Sequence, residues 1–231
     1  MALALQDRVF VVTGGFGSLG RALASTLEAQ GARVALLDRT QPPALAKDTD
    51  RRLLLGAVDL GAEGAAQRAL ALVVQRWQRI DGLVNVAGGF AWETLAGGSL
   101  ETWDRLYAMN LRSAVAASQA VLPFLNAGGR IVNIGALAAL KAATGMGAYA
   151  ASKAGVMRFT EALAEELKDR GVTVNAVLPS IIDTPANRAD MPKADVDRWV
   201  TPQALSRVVA FLLSDDAAAI TGACLPVAGR V

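Results

Sequence analysis

The sequence has no histidine and a single cysteine, Cys224, in 231 residues. The first absence removes histidine-based triads, histidine-ligated zinc or haem, and histidine acid/base chemistry. The second excludes an intramolecular disulfide and a cysteine metal cluster, so no metal site is expected. A proton donor or acceptor must then be Tyr, Lys, Cys, Asp or Glu. No nucleophile elbow G-x-S-x-G is present for a hydrolase. No apolar run approaches the ~18 residues that span a bilayer. The opening MALALQDRVF carries neither the basic nor the apolar region of a secretory leader. Lys and Arg total 23 against 21 Asp and Glu, net +2, with no basic cluster to mark a nucleic-acid face. The expectation is a cytoplasmic protein with no nucleic-acid or membrane partner.

What is present is apolar and periodic. Hydrophobic residues make up 53% of the chain, enough for one sizeable core in one domain, residues 1–231. Short aliphatic runs fall at Val9–Thr13, Arg33–Asp38, Arg52–Val58, Gly82–Val86, Arg130–Ile134, Thr173–Leu178 and Cys224–Val227. Helical patterns lie between them near 19–30, 62–79, 101–126, 148–169 and 202–213. The strands are mostly apolar on both faces, as strands covered from both sides should be. The alternation predicts an α/β fold, a single-domain doubly wound parallel sheet of the Rossmann type with about seven strands. Pro179–Pro202 is the longest irregular stretch, and long loops in compact domains tend to carry function.

The first strand runs into TGGFGSLG, where Gly15, Gly17 and Gly20 fit G-x-G-x-x-G between a strand and a helix. Glycines let the backbone turn and approach a pyrophosphate, and the helix N-terminus offers free N–H groups and positive dipole. The second strand ends in Asp38, placed to accept from the adenosine ribose hydroxyls and to repel a 2′-phosphate. This favours NAD(H), while Arg39 beside it leaves NADP(H) open. Downstream, Tyr149 and Lys153 stand four residues apart on one helix face. A free tyrosine titrates near ~10, and a nearby ammonium, together with the positive nicotinamide of an oxidised cofactor, is expected to lower that value toward useful acid/base chemistry.

These features, in this order, resemble the short-chain dehydrogenase/reductase family over essentially the whole chain. Thr13-Gly14 to Gly20 resembles its glycine motif, with Ser18 where many members have Gly. The resemblance implies dinucleotide contacts from Gly14, Gly15, Gly17, Ser18, Leu19 and Gly20, with Asp59 and Leu60 at the adenine. NVAG resembles the family's N-N-A-G and implies that Asn85, Ala87 and Gly88 close that pocket. Pro179 to Thr184 resembles P-G-x-x-x-T and implies that Pro179, Ile182 and Thr184 meet the nicotinamide end. Tyr149-x-x-x-Lys153 matches the catalytic pair, with Lys153 also on the nicotinamide ribose. Asn110 matches an Asn that holds a water on a proton path. The resemblance further implies a loop over the substrate at about 180–202. It implies a homodimer or homotetramer formed through the helices near 101–126 and 148–169, for which Ala114, Ala117 and Ala162 suit close approach.

One residue departs from that pattern. Thirteen positions before Tyr149, where most members have a serine that hydrogen-bonds the substrate carbonyl, stands Ala136. Losing such a donor costs roughly 10²–10³ in rate. Two readings follow: a silent dinucleotide-binding sensor or subunit, or a reductase whose substrate does not need the hydroxyl. Thr144 or a water is a candidate replacement, while Ser152 is expected to point elsewhere. GGFGSLG, VAGGFA and DTPANRADMPKADVDRW resemble the dihydropteridine reductase branch, which has Ala at that place. That resemblance implies a quinonoid dihydropterin or a related small conjugated or carbonyl substrate. Trp92, Trp199, Asn187 and Arg188 are the candidate substrate contacts, whereas Trp103 is expected to pack between helices.

Overall fold

The structure, a computed structural model, describes residues 4–231. The first three residues, on which part of the leader reading rests, lie outside it. Seven strands form one parallel sheet in the order β3-β2-β1-β4-β5-β6-β7. They are β1 (Val9–Thr13), β2 (Arg33–Leu37), β3 (Arg52–Leu55), β4 (Gly82–Asn85), β5 (Arg130–Ile134), β6 (Thr173–Pro179) and β7 (Cys224–Val227). The helices are α1 (Ser18–Ala29), α2 (Ala65–Trp77), α3 (Leu100–Tyr107), α4 (Ser113–Val121), α5 (Gly147–Leu167), α6 (Pro185–Asp190) and α7 (Pro202–Leu213). All seven predicted strands are present, so the doubly wound reading holds.

Side chains alternate across each strand, and two cores result. Phe10 and Val12 face α1 and α7, with Leu23, Leu27, Leu205 and Val209 packed on them. Val9 and Val11 face the other side, with Leu70, Val73, Val121 and Leu163 from α2, α4 and α5. The central strands β1, β4, β5 and β6 are buried throughout, whereas the edge strands β3 and β7 are not. The strand order reverses direction between β1 and β4, and a doubly wound sheet opens its ligand crevice at that point, beyond the carboxyl ends of the strands.

Three expectations change. The pattern read as one helix over 101–126 is α3 and α4 joined by a π-turn, Ala108–Arg112, and the helix ends at Val121. Inside the turn, the Ser113 hydroxyl donates to the Met109 carbonyl at 2.6 Å. Such an extra residue in a helix often marks a functional position, and Asn110 occupies this one. The stretch 179–202 is not irregular. Thr184 caps α6, its hydroxyl accepting from the Asn187 N–H at 3.2 Å, with Pro185 in the first turn. A parallel bridge between Ile182 and Val200 closes the base of that segment. Finally, Ala114 and Ala117 are buried within the chain, so they are not free for a partner helix, whereas Ala162 is exposed.

Candidate active site

The glycine turn is fixed by close backbone contacts. Gly14 has a φ of +63°, and a Cβ there would sit 2.9 Å from the Ala87 backbone. A Cβ on Gly15 would lie 2.6 Å from Leu36 Cβ, and one on Gly20 would lie 2.7 Å from Gly15 Cα. Any side chain at these places would push β1, β2 and the β4 loop apart. No side chain caps α1, so its first N–H groups are free for an anion. The Leu19 side chain is in the core; only its backbone is available to a ligand. The Thr13 hydroxyl accepts from the N–H groups of Val86 and Ala87, both at 3.1 Å. It ties the two loops together, a role that sequence reasoning missed.

A cleft of about 310 Å³ opens beside this turn. Gly14, Asp38, Asp59, Leu60, Ala87 and Gly88 line it, with Arg39 and Arg105 on its walls. Asp38 accepts from the Phe16 N–H at 3.1 Å and from the Thr40 N–H and hydroxyl at 3.0 and 2.9 Å. A carboxylate has about four acceptor sites, so capacity remains for a ligand. Asp59 accepts from the Gly61 N–H at 2.8 Å, and Arg112 donates to the Gly61 carbonyl at 2.7 Å. Asn85 is not in the cleft. Its amide nitrogen donates to Asn133 at 2.8 Å and to Ser118 at 3.0 Å, beneath the sheet end. It stands in register with Asn133 on β5, which turns it toward α4.

At the other end, Lys153 is 6% exposed and its Nζ donates to the Ile134 carbonyl at 2.8 Å. Burial lowers its pKa to about 8. Tyr149, one helical turn before it, is pushed up to about 12 by burial. This reverses the expected lowering, because desolvation dominates at the phenol and the ammonium is committed to Ile134. Asn110 is buried. Its Oδ1 accepts from the Gly89 N–H at 2.8 Å, and its Nδ2 donates to the Gly89 carbonyl at 3.1 Å and to the Ser152 hydroxyl at 2.9 Å. Ser152 in turn donates to the Tyr149 carbonyl at 2.7 Å. The Ser152 hydroxyl is thus committed to joining the π-turn to the first turn of α5. A Cβ on Gly88 would lie 2.7 Å from Asn110 Oδ1 and 3.4 Å from Lys153 Nζ. Gly88 thus links the cleft to the buried lysine.

The remaining candidates divide. Ala136 is buried, with extended backbone, and its carbonyl accepts from Ala139 at 3.0 Å as a 3₁₀ turn opens. Thr144 is exposed. The Phe90 ring packs edge-to-face with Tyr149, centroids 5.0 Å apart. Trp92 lies against Gly145, and Trp103 against Gly147 at the start of α5. Asn187 and Arg188 fold back on their own segment. Asn187 donates to the Ile182 carbonyl at 2.7 Å, and Arg188 forms a two-point ion pair with Asp183. They brace residues 181–190, because an acid five residues away and a capped helix satisfy them locally. Trp199 is buried, with its backbone against Gly229.

A half-buried Tyr149 one helical turn before a buried Lys153, beside a glycine-built cleft on a doubly wound sheet, defines a dinucleotide-dependent oxidoreductase. A family model described as enoyl-(acyl carrier protein) reductase matches residues 15–229. The chain is 33% identical to the 3-oxoacyl-(acyl-carrier-protein) reductase FabG of Escherichia coli, covering 97% of both. It is 35% identical to the mouse (3R)-3-hydroxyacyl-CoA dehydrogenase, over 98% of this chain and 97% of that one. A short-chain dehydrogenase/reductase of Brucella melitensis superposes with a TM-score of 0.89 at 30% identity, over 99% of this chain and 98% of that one. The chain belongs to the short-chain dehydrogenase/reductase family. It is an oxidoreductase, and its cofactor is a nicotinamide dinucleotide. The resemblance to the dihydropteridine reductase branch finds no counterpart among these relatives. Among the described residues, no helix is long and apolar enough to cross a membrane.

Proposed function

We propose that the protein is a reductase that prefers NAD(H) to NADP(H) and acts on a small conjugated or carbonyl substrate, a quinonoid dihydropterin being one. The observation that carries this reading is the placement of Tyr149 one helical turn before Lys153, whose Nζ donates to the Ile134 carbonyl at 2.8 Å and stands against Gly88 of the cleft. With Tyr149 held near 12 and Lys153 near 8, the phenol keeps its proton and the amine keeps its charge at neutral pH. That is the state a proton donor needs in the direction of reduction.

The residues present fit the dinucleotide. Gly14, Gly15 and Gly20 make a cradle that a Cβ would fill, and the open α1 N-terminus suits a pyrophosphate. Asp38 would take the ribose hydroxyls, Asp59, Leu60, Ala87 and Gly88 the adenine side, and Pro179, Ile182, Thr184 and Lys153 the nicotinamide side. When bound, the reduced cofactor supplies hydride. Tyr149 gives its proton to the anion that develops on the substrate. Lys153 offsets the charge left on the phenol oxygen, more strongly in a dry site than in water. Asn110 and Ser152 hold Gly89 and the first turn of α5, which fixes where Tyr149 stands. Ala136 donates nothing to the substrate. A conjugated acceptor spreads the developing charge and has less need of that donor.

The same reading pairs the outer faces of α4 and α5, where Val115 and Ala162 are exposed, with a second copy. Steady-state assays with NADH and with NADPH test the proposal, using quinonoid dihydropterin beside a panel of ketones and quinones. A lower KM for NADH with pterin turnover is the expected result. A clear NADPH preference rejects the role of Asp38. Ketone turnover with an inert pterin rejects the pterin.

A further inference from the structure

We infer that Phe90 and Trp92 form an aromatic wall of the substrate site that selects a flat conjugated ring over a linear acyl chain. The inference rests on the reading of Tyr149 as proton donor and deepens it. Phe90 and Trp92 from the segment after Gly88, with Trp103 from α3, meet the entry to α5 at three places two residues apart, Tyr149, Gly145 and Gly147. Trp92 meets Gly145, where a Cβ would lie 2.7 Å from the indole Cδ2. Trp103 meets Gly147, where a Cβ would lie 3.3 Å from Cζ2. Phe90 meets Tyr149 itself, rings 5.0 Å apart and 83° inclined. The Glu93 N–H donates to the Gly145 carbonyl at 2.8 Å and holds the two segments together.

These rings stay open to solvent despite their contacts: Phe90 is 50% exposed, Trp92 60% and Trp103 39%. Large aromatic side chains gathered at one place and left half in water are the mark of a surface that something apolar covers. The edge-to-face contact places Phe90 against the ring of the residue read as proton donor. Rings recognise rings through offset and edge-to-face packing, which a flexible chain reproduces poorly. Ala136 supplies no hydrogen-bond donor from its side chain, which leaves more of the orientation to shape and stacking. The reaction balances as a two-electron reduction. The electron-poor carbon gains hydride from the reduced dinucleotide, which is oxidised, and the attached oxygen or nitrogen gains the Tyr149 proton.

The test compares two probes with the intact enzyme and NADH: isatin, a flat aromatic ketone, and the N-acetylcysteamine thioester of 3-oxobutanoate, a linear one. The quantity read is the ratio of kcat/KM for the two. In Phe90→Leu and in Trp92→Ala the ratio is expected to fall about tenfold against wild type, the size of a lost aromatic pair. Phe90→Tyr restores it. Trp92 makes no ring contact with Tyr149 like that of Phe90, so its variant separates recognition from misplacement of the phenol. Cofactor binding, followed by NADH fluorescence, confirms that each variant is folded. An unchanged ratio in both variants, or turnover of the linear probe alone, overturns this inference and leaves the reductase reading standing. Failure of wild type to reduce either probe while binding NADH overturns both.

Discussion

At the dinucleotide end, along the cleft, residues 13–20 and 85–88 meet through backbone, whereas at the chemical end, beyond the cleft's lining, residues 90–103 and 145–149 meet through rings that remain 39–60% exposed. The first region tolerates no side chain where Gly14 and Gly20 stand, so its shape is set before any ligand arrives. The second depends on which side chains are there and leaves apolar surface uncovered. Between them stand exposed Gly88 and the buried Asn110 and Lys153, whose contacts belong to both. On the proposed reading, cofactor and substrate are selected by different physics: one by space and N–H groups, the other by stacking and a single proton.

The comparison can be broken most sharply at its chemical end. Tyr149→Phe removes the proton and leaves the ring against Phe90; kcat is expected to fall roughly 10²–10⁴-fold. NADH affinity should be unchanged, which fluorescence titration measures. A silent sensor would instead keep both its binding and its response. The dinucleotide end should fail differently. Gly14→Ala forces a side chain onto φ +63° and against Ala87, at about 1–3 kcal/mol. Thermal melting should drop by several degrees, and the cofactor KM should rise together with that loss. The smallest effect is expected at the place where the family pattern is broken. Ala136→Ser should change turnover of a conjugated substrate by far less than the ~10²–10³ that an oxyanion donor supplies. A simple ketone should gain more than the conjugated substrate does, a contrast that parallel steady-state assays read directly.

Much of the first region was legible in the sequence. Glycine spacing, strand periodicity and the acid after β2 report backbone needs, and backbone needs are local. Asp38, Asp59, Ala87 and Gly88 were placed where the cleft has them. Asn85 was not, because whether a strand-end side chain points into the cleft or under the sheet depends on its register with β5. The second region was legible only in part. Tyr149 and Lys153 were readable from an i,i+4 pair, but the direction of the tyrosine shift was not, because burial is a property of the assembled core. Asn187 and Arg188 looked like free polar groups until Asp183 and the Ile182 carbonyl came within reach. The π-turn at Asn110 leaves no trace in helical periodicity. The glycines at 145 and 147 did carry a signal: two missing side chains beside a tyrosine leave room for indoles from elsewhere.

On the proposed reading, a buried, charged Lys153 beside a protonated Tyr149 sets the proton step. The pH dependence of kcat/KM for reduction tests it most directly. The sign follows from burial: with a pKa of about 8, Lys153 is charged below that value and neutral above it. Activity should be level up to about pH 8 and then fall toward tenfold per unit as the ammonium is lost. In Lys153→Met the remaining activity should lack that limb. A wild-type profile that stays level to pH 10, or a limb near 8 that survives in Lys153→Met, would contradict the claim.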